Sequence, residues 1–327
     1  MQTCLKRSLA AFFATVLTVT PYAWSDVKAQ AEEELTYSGD GNAISIPYDY
    51  LDASAHYKMR GYTPYTGNRI SLDTENITGR EDGSQSLSEV NGKTAAYTGY
   101  ENKWIEFTAN VPESGLYVIG AVYHTIGGTG LTGTRALTIN GKEIFDEMGK
   151  IPFYRYFIYD QEPRVNSVGD EVAPPSTEIE GWQETYFYDN MGKYSEPLRF
   201  YLRSGKNTIR LEYIDQDIYF NKLFLDAPPV YQNYKEYISE KKSEYTKDYR
   251  GRFETEKSLL WRNDSSIGFS FDGDPKASPS SVGYVKLNTV GNYSYRTGGQ
   301  EMTFLVDVPK EGYYALNFRT KQVWNGG

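Results

Sequence analysis

The chain has 327 residues, 39% of them hydrophobic, with 43 Asp and Glu against 34 Lys and Arg and a formal net charge of −9. That balance makes nucleic acid and anionic membrane surfaces poor partners. A single cysteine excludes a disulfide framework, and 30 Tyr with 5 Trp supply much aromatic surface for so polar a chain. Tyrosine buries a ring while keeping its hydroxyl wet, which suits half-exposed sheet faces and surfaces for polar ligands.

Residues 1–31 read as a secretory signal peptide. Lys6 and Arg7 precede an apolar run from Leu9 to Val19 that is too short for a stable membrane anchor, and Ala29-Gln30-Ala31 is a cleavage site of the A-x-A type. The protein is therefore expected outside the cell or at its surface, with no membrane insertion of the mature chain. Cys4 lies before the apolar run, so it is not placed for lipid attachment.

Residues 32–69 are expected to form a polar N-terminal arm. From Ile70 the pattern becomes β-like. Ile70–Glu75 alternates apolar and polar residues, as does Ile105–Val111. Pro112–Gly115 reads as a turn into Leu116–Tyr123, and the two runs together predict a β-hairpin. Arg135–Ile139, Asn140-Gly141 and Lys142–Phe145 predict a second, tighter one. After a polar loop, roughly 161–181, come Leu198–Leu202, the turn Ser204–Asn207, Thr208–Tyr213 and Ile218–Leu225. Many short strands with little helical periodicity imply an all-β fold, an antiparallel β-sandwich over residues 70–229. Tyr234, Ile238, Tyr245, Tyr249 and Phe253 recur at helical spacings, predicting a helical linker over 230–251.

A segment then returns. Trp104–Tyr117 is matched by Glu301–Tyr314, with Phe107 on Phe304, Val111-Pro112 on Val308-Pro309, Gly115 on Gly312 and Tyr117 on Tyr314. Leu72–Glu75 similarly matches Phe253–Glu256. Residues 252–327 are thus expected to be the incomplete start of a second sandwich, with a first strand and one hairpin, so that the natural protein continues past Gly327.

Catalytic patterns are missing. His56 and His124 are the two histidines, and no HExxH, GxSxG or Cys–His arrangement occurs, so the chain is expected not to be an enzyme. Gly127–Gly130 lacks the Lys-Ser/Thr of a phosphate loop and reads as a turn. Carbohydrate binding fits the composition best, because rings stack on the C–H faces of sugars while polar side chains address the hydroxyls. The candidate residues are Trp182, Tyr100, Tyr123 and Tyr186; the alternative for Trp182 is an anchor for its own loop. No cofactor is required, but structural calcium could sit at one end of the sandwich between Asp73, Glu75 and Asp226.

Trp104–Tyr117, Leu137–Lys142 and Tyr201–Leu211 together resemble the galactose-binding-like (jelly-roll) sandwiches of carbohydrate-binding modules of the family 6 and 35 type. The resemblance covers roughly Ile70 to Pro228. Asn221 stands where many of those modules have Asp, which weakens calcium there. Trp182–Thr185, Gly192–Leu202 and Lys286–Tyr293 look like the N-terminal region of large extracellular solute-binding proteins of bacterial carbohydrate ABC transporters. That likeness implies poly- or oligosaccharide as ligand and a transporter permease as partner, met through a C-terminal domain that these residues do not include. Modules of a secreted glycoside hydrolase, or a structural cell-surface protein, are the alternatives.

Overall fold

Residues 49–322, apart from 82, 84–86, 128–129 and 241–248, are described by the computed structural model. They belong to the compact unit Ile46–Gly327. The expected signal peptide and most of the polar arm lie outside the described residues.

The end of the arm is helical. In α1 (Tyr50–Met59) the Asp49 carboxylate accepts from the backbone N–H of Asp52 at 3.0 Å, a capping bond that starts the helix. Tyr50, Ala53 and Tyr57 share one face and are buried. Tyr50 packs edge-on against Phe145 and Tyr194, with ring centroids 5.1 and 4.9 Å away.

The strands follow in chain order. The first group is β1 (Ile70–Asp73), β2 (Ile77–Arg80), β3 (Ser88–Val90), β4 (Lys93–Thr98), β5 (Trp104–Val111), β6 (Gly115–Thr125), β7 (Gly133–Ile139) and β8 (Ile151–Phe153). Short pieces come next: β9 (Phe157–Ile158), β10 (Arg164–Val165), β11 (Glu171–Val172) and β12 (Thr177–Glu178). The sandwich closes with β13 (Gln183–Tyr186), β14 (Arg199–Leu202), β15 (Gly205–Asp215) and β16 (Ile218–Asp226). Beyond it lie α2 (Tyr234–Glu240), α3 (Thr255–Ser258), β17 (Leu259–Arg262), β18 (Phe269–Ser270), β19 (Thr289–Val290) and β20 (Met302–Phe304). None of the described helices is long and apolar enough to cross a membrane.

The fold is an antiparallel β-sandwich. One sheet has the order β13-β6-β16-β4-β3, with β1 beside β16 and β14 beside β6; the other has the order β2-β5-β15-β7-β8. Ile105, Phe107, Ala109 and Val111 of β5 point into the core, opposite the inward residues of β6, Tyr117, Ile119, Ala121 and Tyr123. The expected hairpin of β5 and β6 is therefore not one. The strands lie in different sheets, and the turn at Pro112–Ser114 arches across the sandwich. Two strands that each carry a full apolar stripe bury more by facing one another than by lying side by side. The turns β14–β15 and β15–β16 cross between the sheets in the same way. The Asn140-Gly141 turn forms: both residues have positive φ, 51° and 73°, and Ile139 bridges Lys142. Lys142–Phe145, however, is not the expected returning strand; β8 pairs with β7 instead.

Gly120 in β6 has a packing reason. Phe224 lies across its Cα, and a methyl there would overlap the Phe224 ring and the Thr185 carbonyl oxygen. The carbonyl belongs to the neighbouring strand and cannot swing away. Gly120→Ala is expected to cost about 1–3 kcal/mol. A urea denaturation midpoint equal to the parent's would show that the strands accommodate it.

The returning segment folds differently from its first copy. Phe253–Glu256 is not a strand, since Thr255 begins α3, and only Met302–Phe304 of the expected hairpin is extended. β17 pairs with β20 on one side and with β9 on the other, in a sheet ordered β12-β9-β17-β20. Phe107 is buried between two neighbours, β2 and β15, whereas the residues after Phe304 have no strand beside them among the described residues. Leu305, Val308 and Leu316 are accordingly exposed. Of the helical linker, Tyr234–Glu240 is helical, while Tyr245 lies outside the described residues. The loop expected at 161–181 contains the small β10–β11 ribbon and β12.

Candidate ligand-binding site

The residues singled out from the sequence are scattered. Tyr123 is fully buried; its hydroxyl donates to the Tyr154 carbonyl oxygen at 2.7 Å, and its ring meets Phe153. It faces inward because it shares the stripe of Tyr117 and Ile119, so it cannot stack on a ligand. Tyr100 sits on the β4–β5 turn, 76% exposed, with the Lys103 ammonium 6.0 Å from its ring centre. Trp182 is half-buried and clamped. Its indole N–H donates to the Val90 carbonyl at 3.2 Å, the His124 ring is 5.5 Å away, and the Lys93 ammonium lies 5.4 Å from its ring. His124 completes the clasp, with Nδ1 at 3.1 Å from the Gly181 carbonyl and Nε2 at 3.2 Å from the Asn91 amide. A neutral ring protonated at Nδ1 satisfies both. Asn91 and Gly92, both with positive φ, turn β3 into β4 and bring the hairpin tip to this clasp.

Tyr186 and Asp226 do meet, but around an internal partner. The Tyr186 hydroxyl donates to Asp226 Oδ2 at 2.8 Å, and Arg69 pairs with Asp226 and Glu184, each at 2.7 Å. The Arg69 guanidinium also lies 3.9 Å over the Phe224 ring. Burial first, and then the bond to Asp226, raises the Tyr186 hydroxyl above its ordinary range. The acids suggested for calcium are not assembled. Asp73 pairs with Lys222, four residues along β16 from Asp226, or about 13 Å at strand spacing. Glu75 is exposed on the 3₁₀ turn Thr74–Asn76. Among the described residues no group of three or more His, Cys, Asp or Glu could hold a metal ion. Asn221 donates to the Thr94 carbonyl and so fastens β4.

A different constellation forms on the β9–β17–β20 sheet. Phe153, Arg155 and Phe157 are buried, and Tyr154 and Tyr156 between them are half-buried. Phe157 pairs with Arg262, and on that face Arg262 stacks on Tyr159 at 4.0 Å and donates to Ser176. Tyr156 and Trp261, each one residue away, take the opposite face and meet edge to face at 4.9 Å. Met302 pairs with Arg262, which puts Glu301 on the face of Trp261. The Glu301 backbone is held by Asn263: its N–H donates to Asn263 Oδ1 at 2.7 Å, and its carbonyl accepts from the Asn263 N–H at 3.2 Å. Asn263 also donates to the Gly299 carbonyl, fixing the loop before Glu301.

Burial pushes the hydroxyls of Tyr154 and Tyr156 well up, with the Glu301 charge as the next cause for each. Tyr188 is pushed up to about 12 by burial, and Tyr295 is raised by burial and then by Glu301. Glu301 thus shares the face of Trp261, with Tyr156 edge-on to that ring, and its charge is felt at the hydroxyls of Tyr154, Tyr156, Tyr188 and Tyr295. Glu301 is itself exposed, and desolvation by the protein around it raises its carboxyl above the ordinary range. No described residue donates a hydrogen bond to its carboxylate or forms an ion pair with it. Other carboxylates have partners: Glu178 is paired with Arg155 at 2.8 Å, and Glu147 accepts from the Tyr50 N–H at 2.7 Å.

None of these residues was singled out from the sequence, although two signals were present. Tyr154-x-Tyr156 and Tyr186-x-Tyr188 repeat an every-second-residue pattern of tyrosine that marks one face of a strand. The internal repeat also sets Glu301 against Trp104, whose ring in the first copy is covered by the Arg210 guanidinium at 4.0 Å.

No family model matches the chain, and no curated protein sequence matches it. Solved structures do. A family 35 carbohydrate binding module from Clostridium thermocellum is 19% identical with a TM-score of 0.27, over 49% of this chain and 99% of the module. The C-terminal CBM6 of a marine laminarinase from Zobellia galactanivorans is 10% identical with a TM-score of 0.28, over 48% and 98% of the two chains. The GH26-CBM35 β-(1,4)-mannanase of Podospora anserina is 11% identical with a TM-score of 0.29, over 51% of this chain and 29% of that enzyme.

Proposed function

We propose that this chain is a non-catalytic carbohydrate-recognition region of an exported protein, and that its platform is the face carrying Tyr156, Trp261 and Glu301. The supporting observation is the coincidence, on one face, of the half-buried Tyr156 and Trp261 rings with an exposed carboxylate that no described residue pairs. Rings offer π faces to sugar C–H groups, and a free carboxylate accepts from sugar hydroxyls. The setting we propose is the front end of a solute-binding protein for sugar uptake, delivering oligosaccharide to a permease. That part rests on the resemblance of Trp182–Thr185, Gly192–Leu202 and Lys286–Tyr293.

The test is calorimetric titration of the mature chain with a panel of soluble oligosaccharides. Trp261→Ala is expected to weaken the best ligand by roughly tenfold or more, about 1.4 kcal/mol. Trp182→Ala loosens the β3–β4 clasp but leaves the affinity near the parent's. Loss of affinity in the Trp182 variant alone would move the site to the clasp, and failure to bind any saccharide would overturn the reading.

A further inference from the structure

The Glu301 face poses a problem for a neutral ligand. Covering the carboxylate with an uncharged sugar strips water from a charge that no described residue compensates. Such desolvation costs several kcal/mol unless a partner arrives with the ligand. Elsewhere in the molecule the problem is solved internally: Arg69 balances Glu184 and Asp226, and Arg155 balances Glu178. Glu301 instead shares its face with Trp261, and Tyr156 meets that ring edge to face. Aromatic faces attract cations as well as C–H groups, so the rings and the carboxylate favour the same charge. A formal net charge of −9 adds attraction at longer range.

We infer that the platform selects an amine-bearing saccharide, with the ligand ammonium against Glu301 and the sugar rings over Trp261 and Tyr156. Uronic-acid sugars are disfavoured by the same carboxylate. This rests on the carbohydrate reading above and specifies its ligand.

The experiment compares three β-1,4-linked tetrasaccharides of equal length: glucosamine, N-acetylglucosamine and glucose. Each is titrated against the mature chain, Glu301→Gln and Trp261→Ala at neutral pH. The expected result is an affinity for the glucosamine oligomer at least about tenfold above both neutral oligomers. Glu301→Gln should remove that preference, leaving the three within about twofold. Its melting temperature should match the parent's, because the carboxylate holds no internal hydrogen bond. A parent that binds a neutral oligomer as tightly as the amine, or a Glu301→Gln variant that keeps the preference, overturns the inference. If neutral oligomers bind and Trp261→Ala abolishes their binding without any amine preference, the carbohydrate platform stands and the cationic selectivity falls. If no oligomer binds, both fall.

Discussion

Replacing Arg135 with methionine lowers the unfolding free energy by about 3–5 kcal/mol, a large share of what a domain of this size holds in reserve. Arg135 is fully buried on the inward face of β7, where Leu137 and Ile139 are its stripe-mates. A guanidinium has five N–H groups, and all five are used. Nε donates to the Thr98 hydroxyl at 2.9 Å; Nη1 donates to the carbonyls of Thr134 and Asp215, both at 2.8 Å; Nη2 donates to those of Thr98 at 3.0 Å and Gln216 at 2.9 Å. Burial lowers its pKa to about 10, with Asp215 acting in the opposite direction, so the group stays cationic at neutral pH.

The consequence is structural. Thr98 ends β4 in one sheet, Arg135 lies on β7 in the other, and Asp215–Gln216 is the turn by which β15 crosses to β16. Gln216 holds a left-handed φ of 52°, which the two neighbouring bonds to Arg135 help to pin. Methionine fills the volume but leaves four carbonyl oxygens without this donor. Lysine keeps the charge with three donors and should recover only part of the loss. Chemical denaturation of the two variants checks this. Arg135→Met at parental stability would mean that water replaces the guanidinium.

The two sheets were legible because their strands obey a simple rule. From Ile105 to Val111 each second residue is apolar, and each of those is buried. The Asn140-Gly141 turn was legible because few residues tolerate two successive positive φ values. Which strand lies beside which was harder. Apolar alternation in β5 and β6 is the same whether they pair laterally or face one another, so a hairpin and an arch read alike. The helix α1 was hidden by its polar composition, since its apolar face consists of two tyrosines and an alanine. At the site, Tyr123 and Tyr154 looked equivalent as letters. Their difference is a matter of strand phase: one shares the core stripe and the other lies between two buried neighbours. Glu301 was illegible for another reason. A carboxylate becomes a candidate by what is missing around it, and that depends on β17 pairing with β9 across about a hundred residues of chain.

Tyrosine hydroxyls shielded from water set an upper pH limit on the fold. Tyr57, Tyr123, Tyr154 and Tyr156 all have hydroxyls whose burial raises their pKa, Tyr57 to about 12 and the others further. Below the ordinary tyrosine value of about 10, folded and unfolded chains both keep these protons, and the stability is complete. Above it, the unfolded chain releases them and the folded chain does not, so the unfolded state gains about 1.4 kcal/mol per tyrosine for each further pH unit. Four such groups together give a slope of roughly 5–6 kcal/mol per unit. A reserve of about 5–15 kcal/mol is then consumed within roughly one to three units. The expected result is a cooperative alkaline unfolding that sets in above about pH 10, in which tyrosinate absorbance and loss of β-sheet circular dichroism rise together. Tyr123→Phe removes one titrating group, along with its bond to the Tyr154 carbonyl, and should make the alkaline transition less steep. A gradual tyrosinate titration near pH 10 with the sheet signal intact would show that these hydroxyls reach solvent in the folded state.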